Sequence, residues 1–82
     1  MGQVFRSGRG YSVTVNSNDH PPPHVHAYGR KLGSRFKFDC EAETVEPWDA
    51  KGKWSRSHLN ELGEEIADHL AECCDEWRRV NG

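Results

Sequence analysis

The sequence predicts a small α+β fold: an N-terminal antiparallel β-meander of three to five strands, packed by one long C-terminal amphipathic α-helix. Two patterns predict it. The first half alternates apolar and polar residues with the period of two that a half-buried strand requires. The second half repeats apolar residues at the 3.6-residue spacing of a helix with one buried side. With 82 residues, 34% of them hydrophobic, the chain supports one core and buries about 60% of its unfolded surface.

Gln3 to Phe5 is a short strand candidate, and Ser7-Gly8-Arg9-Gly10 supplies a turn. Tyr11, Val13 and Val15 then share one strand face, opposite Ser12 and Thr14. After a proline run, His24 to Tyr28 alternates again, and 29–33 turns the chain. From Ser34 to Cys40, Phe36, Phe38 and Cys40 fall on one face and Arg35, Lys37 and Asp39 on the other, the pattern of a sheet with one wet face. Thr44-Val45 reads as an edge strand that Pro47 should stop, because proline offers no N–H to a ladder. Trp48 and Trp54 are expected to fold back as lids over the core.

Ser55 or Ser57 is the expected N-cap of the helix, which Asn81-Gly82 can end. Leu59, Leu62, Ile66, Leu70, Cys73, Trp77 and Val80 fall within an arc of about 80° at 100° per residue. Gly63 inside this stripe predicts a close approach or a kink rather than two separate helices. One domain therefore spans 1–82, with the sheet in 1–46, a connecting segment in 47–54 and the helix in 55–80.

No apolar stretch approaches the roughly 20 residues of a membrane span, and Met-Gly-Gln-Val-Phe-Arg lacks the apolar centre of a signal peptide. A cytoplasmic protein with no membrane association is expected. Cys40, Cys73 and Cys74 are odd in number and two are adjacent, poor material for a disulfide framework, so reduced thiols are expected and Cys73 should fill the core. The net charge of -2 hides an asymmetry: six cations stand against two acids in 1–40, a balance of +4, and five against eleven in 41–82, a balance of -6.

Much of that acidity lies opposite the apolar stripe, at Glu61, Glu64, Glu65, Asp68, Glu72, Asp75 and Glu76, with no Lys or Arg between Arg56 and Arg78. Like charges four residues apart each cost a helix about 0.2–0.5 kcal/mol, and Glu72, Asp75 and Glu76 sit toward the negative end of the helix dipole. The bland reading is a solvated face. The functional reading is docking on a basic surface, either a partner protein's nucleic-acid channel or the basic first half of a second copy in a homodimer. Direct nucleic-acid binding is not expected, since Arg6, Arg9, Arg30, Lys31, Arg35 and Lys37 make only a modest patch.

Asn18-Asp19-His20-Pro21-Pro22-Pro23-His24-Val25-His26 is the most unusual stretch. Three prolines hold an extended segment, and His24 and His26 project from one side of a strand, about 6.6 Å apart at the backbone. Four readings compete. His20, His24 and His26, or Asp19 in place of His20, have the ligand types of a catalytic zinc site. His24 and His26 with Asp19 have the makings of acid and base work on a phosphodiester. The rings and prolines also suit a binding surface, or a rigid, hydrogen-bonded sheet entrance. Neither a cofactor nor a catalytic role is assigned in the leading reading.

Tyr11 through His26, with its Asn-Asp-His-Pro-Pro-Pro-His-Val-His string, resembles the family of small bacterial proteins catalogued as domain of unknown function 4160, and the strand at Phe36-Lys37-Phe38 and the helix carrying Glu76-Trp77 follow its layout. The resemblance implies a short cytoplasmic protein of prokaryotic operons and mobile elements, often one half of a toxin–antitoxin pair. It implies no activity, and marks Asp19, His20, Pro22, Pro23, His24 and His26 as the family's shared surface. The segment from Glu41 to Lys53, with Pro47 and Trp48, departs from it, as does the one-sided acidic helix. The expectation is a non-catalytic macromolecule-binding module whose acidic face, from Glu61 to Glu76, and His/Pro surface meet a basic protein, itself within a nucleic-acid-binding complex. The alternatives are an anti-CRISPR-like inhibitor of a host defence complex and a small histidine-dependent, zinc-assisted or metal-free nuclease toxin.

Overall fold

In the computed structural model, which describes residues 2–16, 20–29 and 32–81, five antiparallel strands in sequential order form one sheet and two helices follow. The strands are β1 (Gly2–Arg6), β2 (Ser12–Val15), β3 (His24–Gly29), β4 (Leu32–Asp39) and β5 (Thr44–Lys51); the helices are α1 (Arg56–Asp68) and α2 (Leu70–Asn81). The α+β meander expected from the alternation is present, and its buried face is the one that the pattern marked. Tyr11, Val13, Val15, Phe36 and Phe38 are all buried, together with Val25 and Ala27 of β3. Leu62, Ile66 and Cys73 of the helical stripe complete this core, and Leu59, Leu70, Trp77 and Val80 pack against it.

The β1–β2 turn shows how local chemistry sets the register. The Gly10 N–H donates to the Ser7 carbonyl at 2.9 Å, the Tyr11 N–H donates to Ser7 Oγ at 2.9 Å, and Gly10 takes a φ of 90° that a side chain would resist. At the β4–β5 turn, Asp39 Oδ1 accepts the N–H groups of Glu41 and Ala42. Ser55 caps α1, its side chain accepting the His58 N–H at 3.0 Å.

Three expectations are corrected. Most of the stretch from 47 to 54 is strand and not a connector: β5 passes through Pro47 to Lys51. Pro47 is tolerated because β5 is an edge strand and bulged, with Arg35 opposite Asp49 but Phe36 opposite Pro47. Trp48 is the extra residue of that bulge, 38% exposed, so it is no lid over the core. Trp54 is one, donating from Nε1 to the carbonyls of Gly33 and Lys51 while its ring tilts on Tyr11.

The single long helix is two, broken at His69 rather than at Gly63. Gly63 supplies the close approach: a Cβ there would lie 3.4 Å from the Phe36 ring. At the break, His69 stacks flat on Phe5 with ring centroids 4.0 Å apart, and its Nδ1–H donates to the Glu65 carbonyl at 2.9 Å. The Glu65 carbonyl thus accepts twice, from this ring and from the His69 backbone N–H at 3.2 Å.

The third correction concerns sulfur. Cys40, just beyond β4, and Cys74 of α2 form a disulfide across a Cα separation of 6.1 Å, well inside the range such bridges span. Cys73, the remaining thiol, is buried, and desolvation pushes it up to about 12. It fills the core as expected and stays protonated.

Among the described residues, one buried side-chain group has no partner. Ser34 Oγ, on the core side of β4, makes no hydrogen bond. An unsatisfied buried hydroxyl costs roughly 1–3 kcal/mol, so Ser34→Ala is expected to raise unfolding free energy by about 1 kcal/mol in urea denaturation.

Candidate functional site

The seven acids of the helices do not form one uncompensated face. Glu61 pairs with Arg9, whose guanidinium hydrogen bond holds the carboxyl below its usual range. Glu65 Oε2 accepts the Gly8 N–H at 2.9 Å. The β1–β2 turn therefore clamps the first half of the acidic face. At the far end Asp75 pairs with Arg78 at 3.5 Å, and Glu76 accepts two hydrogen bonds from Arg79, which lowers its pKa likewise. Arg78 and Arg79 also lie in the last turn of α2, where cations offset the dipole.

Glu64, Asp68 and Glu72 are left. All three are exposed, and none makes an ion pair or side-chain hydrogen bond among the described residues. Their positions lie opposite Leu62 and Ile66 on α1 and Cys73 and Cys74 on α2, so they run as a narrow stripe on the outer surface of the helical layer.

The histidines separate. His20 is exposed, at the start of a segment whose Pro21–Pro22 bond is cis, and Asp19 lies outside the described residues. His24 is buried, at 3% exposure. Its Nδ1–H donates to the Pro22 carbonyl at 2.9 Å, which fixes the donor nitrogen because a carbonyl can only accept. The ring lies 5.0 Å from His26, 5.0 Å from Trp48 in edge contact and 5.4 Å from Trp77. His24 thus joins the proline segment, the bulged edge strand and α2, as a rigid sheet entrance would. Among the described residues no group of three His, Cys, Asp or Glu comes together as metal ligands.

The register places a second surface that periodicity alone had left as a list of polar residues. Residues directly opposite each other in antiparallel strands share a face. One row on the face away from the helices reads Arg6, Ser12, Tyr28, Gly33 and Lys51; the next reads Gln3, Thr14, His26, Arg35 and Asp49. A third pairs Lys37 with Glu46 beside Trp48, while His24, opposite Lys37 at the end of β3, is buried against Trp77 of α2. Tyr28 is 49% exposed. The Arg35 guanidinium lies 4.4 Å from the Trp48 ring centre and bonds Asp49, whose carboxyl it holds below the ordinary range, while Lys37 pairs with Glu46 at 3.2 Å. Arg30 and Lys31 lie outside the described residues.

Two hollows flank the motif. One, of about 540 Å³, lies between Pro22 and Pro23 and the β4–β5 hairpin. The other, of about 350 Å³, is a notch in the open sheet face bounded by Tyr28, Gly33, Arg35, Asp49 and Lys51.

A family model described as a domain of unknown function (DUF4160) matches residues 10–78. The chain belongs to this family. Its model spans β2 through most of α2, hence the proline segment, the bulge and all seven helix acids, and its description carries no activity. No curated protein and no solved structure matches the chain. No helix of the described residues is long and apolar enough to cross a membrane. In this DUF4160 member the structure brings His24 together with His26 and the tryptophans, and it parts the helix acids into a clamped set and an unclamped one. Sequence reasoning missed Phe5 with His69, and Tyr28 with Gly33 and Lys51. Only the first pair had a signal, two aromatic rings outside the periodic pattern.

Proposed function

We propose that this chain is a non-catalytic docking module of a bacterial toxin–antitoxin or mobile-element system, and that the outer helical surface at Glu64, Asp68 and Glu72 meets a basic partner protein. The observation that carries the reading is the contrast within the acidic set. Glu61, Glu65, Asp75 and Glu76 have partners inside the molecule, whereas three consecutive turns present carboxylates with none among the described residues. Such a stripe costs helix stability through like-charge spacing and repays it when a cationic surface arrives, mainly through faster association and specificity. The buried, hydrogen-bonded His24 supports a shaping role for the His/Pro segment.

An inhibitor of a host defence complex would use the same docking mode on another basic partner. A second copy of the chain fits less well. The basic sheet and the acidic stripe lie on opposite faces of a two-layer molecule, so their contact repeats head to tail instead of closing as a twofold dimer.

The test is capture from the native host with the wild type and with a Glu64→Lys/Asp68→Lys/Glu72→Lys variant. The wild type should retain a basic protein in a salt-sensitive one-to-one complex, and the variant should lose it while keeping its fold. RNA cleavage by the purified chain, with or without zinc, that disappears in His26→Ala would replace this reading with the hydrolase.

A further inference from the structure

The open face of the sheet combines three features that the acidic docking surface does not use. Among the described residues it carries four cations, Arg6, Arg35, Lys37 and Lys51, against three carboxylates, Asp39, Glu46 and Asp49. It exposes two flat rings, Tyr28 and Trp48. And it is notched: Gly33 sits between Tyr28 and Lys51 in one cross-strand row, so the row lacks a side chain at its centre. A Cβ built at Gly33 meets nothing within 4 Å among the described residues, which leaves the space beside the Tyr28 ring open to them.

We propose that this face binds single-stranded RNA, with one base seated in the Gly33 notch against Tyr28 and the backbone running over Arg6 and Lys51. The notch, at about 350 Å³, is at the small end of ligand hollows, about 300–1,000 Å³, and is walled by an aromatic ring and a cation, the pairing that single-strand binders use. Arg6 and Lys51 are exposed and make no ion pair among the described residues, so phosphates need not displace a carboxylate from either. A duplex hides the faces of its bases, and an acidic protein would satisfy the cations but leave Tyr28 without a stacking partner.

The assignment to RNA rests on Asp49. Both hydrogen bonds that Asp49 accepts from Arg35 fall on Oδ2, so Oδ1 is an acceptor without a donor among the described residues. A 2′-hydroxyl offers that donor where DNA has none. The acids of the helices do not repel the strand appreciably. The shortest extent of the molecule is 20 Å, about two Debye lengths at physiological salt. This surface is independent of the acidic stripe, and its ligand is independent of the partner proposed for that stripe.

Fluorescence anisotropy with a short, unstructured, uridine-rich RNA tests the proposal at low and at physiological salt. The wild type should bind in a salt-dependent manner. Tyr28→Ala and Gly33→Val should each weaken binding at least about tenfold, the scale of one lost base stack, with circular dichroism unchanged. Gly33→Val is the decisive variant, because it fills the notch and leaves every cation in place. Lys51→Ala should reduce the salt slope by roughly 0.7, and Glu64→Lys/Asp68→Lys/Glu72→Lys should bind RNA at least as well as the wild type. DNA of the same sequence and duplex RNA should bind more weakly. The proposal is overturned by an absence of RNA binding at low salt, by equal binding of DNA or duplex, by wild-type affinity in both Tyr28→Ala and Gly33→Val, or by polyglutamate binding with the same dependence on Tyr28.

Discussion

Removing the bridge between Cys40 and Cys74 is expected to lower the unfolding free energy by about 3–4 kcal/mol. The two cysteines are 34 residues apart in sequence, and closing a loop of that length in the unfolded chain accounts for roughly this amount in the chain-entropy description. The bridge also ties α2 to the end of β4, and the Asn81 side chain at the end of the helix donates to the Asn16 carbonyl. A domain of this size has only about 5–10 kcal/mol in total, so Cys40→Ala/Cys74→Ala should shift the urea midpoint strongly, and a dithiol reductant should act on the wild type alone. A loss under about 1 kcal/mol would mean that the sheet and helices hold α2 without the bridge.

Phe36→Ala should cost about 3–5 kcal/mol, the usual range for a fully buried phenylalanine. Phe36 is 0% exposed, the largest of the fully buried side chains. It lies opposite Val25 and Pro47 in the sheet, and α1 comes down on its ring at Gly63, where no side chain can move in to fill a void. Phe36→Leu should recover more than half of the loss. Chemical denaturation of the two variants measures both effects, and equal losses would show that ring shape rather than volume matters there.

The parts of this fold that were legible in the sequence are those set by local periodicity. Val13 and Val15, or Phe36 and Phe38, declare their buried face because a strand has a period of two whatever its neighbours do. The helical stripe from Leu59 to Val80 was legible for the same reason. That regularity also concealed the break at His69: the stripe continues in phase across it, and neither Gly nor Pro stands there, because the interruption depends on a stacking partner, Phe5, from the other end of the chain. Pro47 misled for a related reason. A proline ends a central strand but is harmless at a bulge on an edge, and which strand lies at the edge is a property of the whole sheet.

The candidate site was legible in composition and not in pairing. The acids of the helices were visible as a block, yet Glu61 and Glu65 receive their partners from Arg9 and Gly8, separated by 52 and 57 residues. The open face of the sheet was harder still. Its cross-strand rows depend on two register shifts, one in β1–β2 and one in β4–β5, and a slip of one residue would turn Tyr28 or Lys51 to the other face.

The central claim is that Glu64, Asp68 and Glu72 are the docking surface. Titration calorimetry of the basic protein that the wild type captures, against the wild type, the Glu64→Lys/Asp68→Lys/Glu72→Lys variant and a Glu61→Lys/Glu76→Lys control, tests it most directly. The triple variant should bind at least about a hundredfold more weakly, as expected when three complementary charges become repulsive, and the control, which alters acids already paired within the molecule, should lose much less. An unchanged affinity in the triple variant, or an equal loss in the control, would contradict the claim.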